Sequence, residues 1–165
     1  MEIKKATVND IETIQHLAKI IWPQAYNDII SSEQLRYMLN LIYSTESLTK
    51  QIENGHQFIL VIENSIAIGF ASFSQKNTEE PNTFRLHKIY VLPNQPVKGI
   101  GSFLLSYVCK ASVNAGATLL ELNVNKYNKA KLFYEKKEFR ILREEVIDIG
   151  NGYVMDDYVM GKYLK

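Results

Sequence analysis

Ile89-Tyr90-Val91-Leu92-Pro93-Asn94-Gln95-Pro96-Val97-Lys98-Gly99-Ile100-Gly101-Ser102-Phe103-Leu104-Leu105 is the stretch on which the reading of this chain turns. It begins as an apolar run with β-branched residues, passes two prolines, and sets Gly99 and Gly101 at the start of an apolar segment with helical spacing. The pattern predicts a strand that enters a loop, and a loop that opens a helix. The first turn of a helix leaves backbone N–H groups without partners and carries the positive end of the macrodipole. Glycines there let the backbone approach an anion with no Cβ in the way. A phosphate or diphosphate suits such a place. The competing reading is a tight loop whose glycines only permit the turn.

Upstream of this stretch, residues 84–92 are strand-like as far as Pro93. Residues 57–63 and 66–74 flank Asn64-Ser65, which predicts a tight antiparallel hairpin, and Gln75–Asn82 is an exposed loop. Residues 2–6 form a short strand, followed by the capping box Thr7-Val8-Asn9-Asp10 and the apolar stripe Ile11, Ile14, Leu17, Ala18 and Ile21. Pro23 should end that helix at Trp22, leaving a loop over Pro23–Ile30. Ser31-Ser32-Glu33-Gln34 caps a second helix, and a third over 45–53 ends at Gly55. Downstream, Ser102–Asn114 reads as an amphipathic helix stopped by Gly116, 118–124 as a buried strand and 128–137 as a helix. The segments 139–149 and 152–164 pair around Gly150-Asn151-Gly152. The order βααα–ββ–βαβα–ββ predicts a mixed α/β fold. Its sheet is mostly antiparallel, with one central parallel β–α–β unit flanked by helices.

Composition narrows the function classes. A chain of 165 residues is the size of one domain, so residues 1–165 are expected to form a single unit. Nineteen Lys/Arg against eighteen Asp/Glu give a formal charge of +1, too little basic excess for a phosphate-neutralising nucleic-acid binder. The longest aliphatic run, Phe58–Ile62, is too short to span a bilayer, and Met1–Ala6 lacks the apolar core of a signal peptide. The lone Cys109 sits in an apolar helical stripe with Leu105 and Val108, and no His/Cys cluster has zinc spacing. A cytoplasmic protein without a metal, a membrane or a nucleic-acid partner is expected.

Three nucleotide-binding patterns can be tested at the Gly99–Gly101 loop. The Walker A pattern needs Lys after its last glycine, and Lys98 precedes Gly99. The dinucleotide fingerprint needs a third glycine where Leu104 stands, although Glu121 lies at about the right distance for its acid. The third is the acyl-CoA diphosphate loop, Gln/Arg-x-x-Gly-x-Gly/Ala, matched by Pro96-Val97-Lys98-Gly99-Ile100-Gly101. Together with Asn128-Lys129-Ala130-Lys131-Leu132-Phe133-Tyr134-Glu135-Lys136-Lys137-Glu138-Phe139, this loop resembles the GNAT superfamily of acetyl-CoA-dependent N-acetyltransferases. The element order is similar along essentially the whole chain. Trp22-Pro23, Tyr26, Tyr37-Met38-Leu39 and Asp156–Met160 are similar to bacterial members related to polyamine acetyltransferases. Two positions depart from the pattern: Pro96 stands at the usual Gln or Arg, and Glu138 at the usual glycine.

The resemblance implies direct acetyl transfer from acetyl-CoA, as co-substrate, to a primary amine of a small molecule such as a polyamine. An alkylammonium has a pKa near 10, so holding it neutral at pH 7 costs about 4 kcal/mol, and a base is useful. The leaving thiolate, with a pKa of about 8.5, needs a proton donor. The resemblance makes Tyr134 that acid and His87, which should alternate with Ile89 and Val91 on one strand face, a candidate base; Glu121 is the weaker choice. It also implies that backbone groups of Ile89, Tyr90 and Val91 pair with the pantetheine arm. Val97, Lys98, Gly99, Ile100, Gly101 and Ser102 would then hold the diphosphate, with Asn128, or Asn125, contacting CoA. Trp22, Tyr26 and Tyr37 are the candidate acceptor pocket, and Asp28, Glu33, Asp156 and Asp157 the unranked carboxylates for a cationic amine. Acetylation of a protein or peptide and a non-catalytic CoA-binding regulatory module are the alternatives, and a homodimer is left open.

Overall fold

A computed structural model describes residues 1–165. In chain order its elements are β1 (Glu2–Lys5), a 3-10 turn (Val8–Asp10), α1 (Ile11–Tyr26), α2 (Ser32–Tyr43), α3 (Thr45–Glu53), β2 (Gln57–Glu63), β3 (Ile66–Gln75), β4 (Thr83–Val91), α4 (Ile100–Asn114), β5 (Leu119–Asn125), α5 (Ala130–Lys136), β6 (Arg140–Gly150) and β7 (Tyr153–Tyr163). The seven strands form one sheet in the order β1-β2-β3-β4-β5-β7-β6. Every neighbouring pair is antiparallel except β4 and β5. The mixed α/β arrangement expected from the sequence is the one observed.

Short-range chemistry accounts for most boundaries. Asn64 and Ser65 both adopt positive φ, the conformation that a two-residue hairpin turn demands, and they join β2 to β3. The Thr7 hydroxyl accepts from the Asn9 N–H while the Asp10 carboxylate accepts from the Thr7 N–H, which starts the turn into α1. Ser31 and Ser44 cap α2 and α3 by accepting from the Gln34 and Ser47 N–H groups. Along β2, neighbouring side chains alternate between two cores. Ile59 and Val61 pack with α4 and α5, whereas Phe58 and Leu60 pack beneath α1 to α3.

One expectation is corrected. Helix α1 does not stop at Trp22 but runs through Pro23 to Tyr26. A proline inside a helix costs about 3 kcal/mol. The continuation buries the Trp22 and Tyr26 rings on the same face, with centroids 4.7 Å apart. Burial of large apolar side chains is worth about 1.5–3 kcal/mol each, which offsets the loss. Tertiary packing therefore overrides the local breaker. No helix is long and apolar enough to cross a membrane.

Glu138, at the position where the resemblance expects glycine, adopts glycine-like geometry at φ 70. It follows α5 and turns the chain toward β6. A side chain in this region costs about 1–2 kcal/mol. Its ion pair with Lys162, at 3.2 Å, is too exposed to repay much of that. Glu138→Gly is therefore expected to stabilise the protein by about 1 kcal/mol, read as a rise in the denaturant midpoint at unchanged slope.

Candidate active site

The site originates in an incomplete strand pairing. β4 and β5 pair only from Thr83–Leu86 to Leu119–Leu122, although β4 runs on to Val91 and β5 to Asn125. A β-bulge accompanies this separation. The register between β3 and β4 shifts between Ser72, opposite Lys88, and Phe73, opposite Leu86, and leaves His87 as the extra residue. A bulge bends its strand and increases its twist, which carries the second half of β4 away from β5. From Lys88 to Val91 one edge of β4 is bonded to β3, and the edge toward β5 has no strand partner.

The bulge also overturns one expected geometry. Phe84, Leu86, Ile89 and Val91 all pack toward the α4 core, so the alternation changes phase at residues 87 and 88. His87 lies off the face that carries Ile89 and Val91. Its ring stacks on His56 at 4.0 Å between centroids, and its Nε2 lies 2.7 Å from the Ser74 hydroxyl. Burial, reinforced by His56, Lys88 and Arg85, pushes the His87 pKa down to about 3, so the ring is neutral at physiological pH. Burial also pushes Lys88 down to about 8; its ammonium donates to Gln51 Oε1 at 2.6 Å and lies over the Phe58 ring. Burial opposes ionisation of Glu121, but hydrogen bonds from Arg143 and Lys76 outweigh it and hold the carboxyl below its ordinary range. Arg85 completes a three-cation shell around that buried carboxylate.

Between the separated strands lies a cavity of about 180 Å³. Segments Leu86–Tyr90 and Leu122–Asn125 form its sides, with Tyr26, Asn128, Tyr134 and Asp157 among the residues that close it. The Tyr134 ring packs edge-on against Phe133 and Phe139, which fixes its direction. Burial raises its phenol well above the ordinary value, so it stays protonated at neutral pH and is available as a donor. The Tyr26 and Tyr90 hydroxyls are bonded to each other at 2.7 Å. Trp22 and Tyr37 do not line the cavity. Trp22 donates to the Tyr43 hydroxyl within the helical core, and Tyr37 donates to the Ile149 carbonyl and ties α2 to the β6–β7 hairpin. Asn125 and Asn128 both border the cavity, with their side-chain carbonyls accepting from the Tyr127 and Ala130 N–H groups.

The loop before α4 meets the chemical requirement set by its sequence. None of the N–H groups from Val97 through Ser102 donates to a backbone carbonyl or a side chain. Gly99 sits at φ 76 as the helix N-cap, a conformation that costs other residues about 1–2 kcal/mol. A Cβ built on Gly101 would come 3.6 Å from Phe133, so the start of α4 abuts the residue preceding Tyr134. A larger groove, of about 710 Å³, runs between α4 and the end of β7, but it shares no residue with this cavity and does not include Tyr134.

Comparison with known proteins agrees with this architecture. The family model described as "Acetyltransferase (GNAT) domain" matches residues 26–155. Spermidine N(1)-acetyltransferase from Thermoplasma acidophilum is 27% identical over 162 residues, covering 94% of this chain and 96% of that protein. The crystal structure of PaiA N-acetyltransferase from the same organism, in complex with coenzyme A, superposes with a TM-score of 0.80 at 26% identity and covers 98% of each chain. A GCN5-related N-acetyltransferase from Rhodopseudomonas palustris shares the fold, with a TM-score of 0.82 at 18% identity over 99% of this chain and 95% of that one. The chain belongs to the GNAT family of acetyltransferases. It is an N-acetyltransferase that uses acetyl-CoA.

The depressed His87 pKa has a thermodynamic consequence. Between pH 6.5 and about 3 the unfolded chain binds a proton at this imidazole that the folded chain refuses. Its contribution to stability is full above pH 6.5 and is lost as the pH falls toward 3. His87→Gln should therefore give a shallower decline of Tm than the parent protein when the pH is lowered from about 7 to about 4 in a calorimetric series.

Proposed function

We propose that the chain transfers acetyl from acetyl-CoA directly to a primary amine of a small molecule, with a polyamine as the acceptor class. The observation that carries this reading is the gap between β4 and β5: it exposes an unpaired backbone edge, ends at Tyr134, and adjoins a helix N-terminus with free amides. The pantetheine arm would pair with β4 at Ile89, Tyr90 and Val91 as an added strand. Amides of Val97 to Ser102 would hold the diphosphate with Lys98 adding positive charge, Pro96 contributing no N–H of its own. Asn128 would offer its side-chain NH₂ to the same ligand, since its side-chain carbonyl is engaged by the Ala130 N–H.

In the transfer step the amine nitrogen attacks the thioester carbonyl, the C–N bond forms, and the C–S bond breaks. The Tyr134 phenol would give its proton to the departing thiolate, a task for which a neutral, buried, firmly packed phenol is suited. With a pKa near 3, His87 would take part as a neutral hydrogen-bond relay with Ser74 and not as the group that removes the ammonium proton. Tyr26 would line the acceptor side of the cavity, with Trp22 packed against its ring. The relative that acts on spermidine supports a polyamine over a peptide acceptor.

A panel of spermidine, spermine, simple alkylamines and short peptides assayed with acetyl-CoA is expected to show turnover highest with the polyamines; turnover confined to peptides would reverse the acceptor assignment. Tyr134→Phe should lower kcat by about 10²-fold or more while CoA affinity in calorimetry is unchanged, because the ring packing is retained and only the donor is removed.

A further inference from the structure

Two buried carboxylates project from the same face of the sheet, Glu121 on β5 and Asp157 on β7, and their surroundings differ in kind. Glu121 is enclosed by the cations of Lys76, Arg85 and Arg143. Asp157, only 5% exposed, has no Lys, Arg or His within ion-pair distance. Its one polar contact is the Asn123 side-chain NH₂, which donates to Oδ2 at 3.3 Å, and Oδ1 is buried with no partner at all. The same Asn123 NH₂ donates to Glu145 Oε2 at 3.1 Å, and Arg85 donates to its carbonyl, which fixes the amide with its donors toward the two carboxylates.

A buried carboxylate with an unpaired oxygen is among the costlier features a fold can carry. The groups that face it do not relieve it: Glu145 from β6 and Asp156 from β7 add negative charge, Tyr26 from α1 is neutral, and Arg85 from β4 acts only at a distance. Burial, with those two acids, raises the Asp157 pKa. Asp157 pairs with Asn125 at the end of β5, where the strands have separated, and it lines the same cavity as Tyr134 and Tyr26. A cation entering this cavity would supply the partner that Oδ1 lacks.

We infer that Asp157 is the acceptor-binding base of this enzyme: Oδ1 receives the ammonium group of the incoming amine and takes its proton before attack. The inference rests on the acetyl-transfer reading above and adds to it the residue that selects for a cationic acceptor. The proton balance is complete within the cavity. An N–H bond of the ammonium breaks and an O–H bond forms on Asp157, leaving a neutral amine beside the thioester. After the C–N bond forms and the C–S bond breaks, the thiolate takes the Tyr134 proton. The second amine proton, shed as the amide forms, restores the phenol, and Asp157 releases its own proton to water. One proton is released for each ammonium acetylated.

Asp157→Asn tests this, because it keeps the shape and removes the charge. Four measurements are made on the full chain and the variant: CoA binding by calorimetry, spermidine binding to the CoA-saturated protein, kcat/KM for spermidine across pH, and Tm without ligands. The expected outcome is unchanged CoA affinity, spermidine binding abolished, and kcat/KM reduced by about 10²–10⁴-fold with the acid limb of the profile gone. Tm should be equal or higher, since an uncompensated buried charge is removed. A variant that binds and acetylates spermidine like the parent overturns the assignment and leaves the acetyl-transfer reading intact. A lowered Tm with spermidine binding retained makes Asp157 structural and likewise overturns it. A parent protein that binds CoA but acetylates no amine defeats the underlying reading, and the role of Asp157 with it.

Discussion

A single extra residue in β4 governs the arrangement of the site. With His87 bulged out of the β3 ladder, the second half of β4 swings away from β5, and parallel pairing ends at Leu86 and Leu122. Three consequences follow from that one irregularity. The β4 edge is left with unused backbone groups, a cavity opens between the strands, and side chains beyond the bulge change face, sending Tyr90 toward Tyr26 and Ile89 toward α4. In a regular sheet those backbone groups would be consumed by β5 and no cavity would open between the strands. Helices on both faces hold the separated strands in place: α1 to α3 pack on Phe58, Leu60 and Phe70, and α4 and α5 on Phe73, Leu86 and Leu122.

Electrostatics around the slot are organised by contrast. On one face of the sheet Glu121 is neutralised by three cations and held ionised, whereas Asp157 is buried with one amide contact and an idle oxygen. Asn123 and Arg85 join the two, so the saturated carboxylate provides the rigid frame in which the unsaturated one is presented. The phenols of Tyr134, Tyr26 and Tyr90, which line the same cavity, are all held protonated by burial. Protonated phenols and a lone carboxylate within one cavity suit a reaction that removes a proton from a nucleophile and delivers one to a leaving group.

Much of the fold was legible in the chain because its signals are short-range. Asn64-Ser65, Gly150-Asn151-Gly152 and the Thr7 and Ser31 caps act over two to four residues and appear where the pattern placed them. The glycine-bearing loop before α4 is of the same kind: its free amides follow from being the first turn of a helix. Pro23 was misleading because the rule it invokes is local, whereas the burial of Trp22 and Tyr26 that overrides it comes from partners on β3, β4 and α2 such as Phe70, Tyr90 and Tyr43. Trp22 and Tyr37 carried no mark to separate pocket from packing, since both are aromatics at helical spacing. Asp157 did carry one, an acid inside a largely apolar strand, but its neighbour Asp156 carried the same one.

The sequence alone determined the order of elements, the mixed sheet, the anion-ready start of α4 and the placing of Tyr134 on the helix beside it. Each of these depends on backbone conformations that nearby residues dictate. Tertiary structure decided the bulge at His87, the end of β4–β5 pairing, the neutral state of that histidine and the isolation of Asp157. All four depend on register and burial between segments far apart in the chain, where the energy of a group is set by what surrounds it in space and not by what precedes it in sequence.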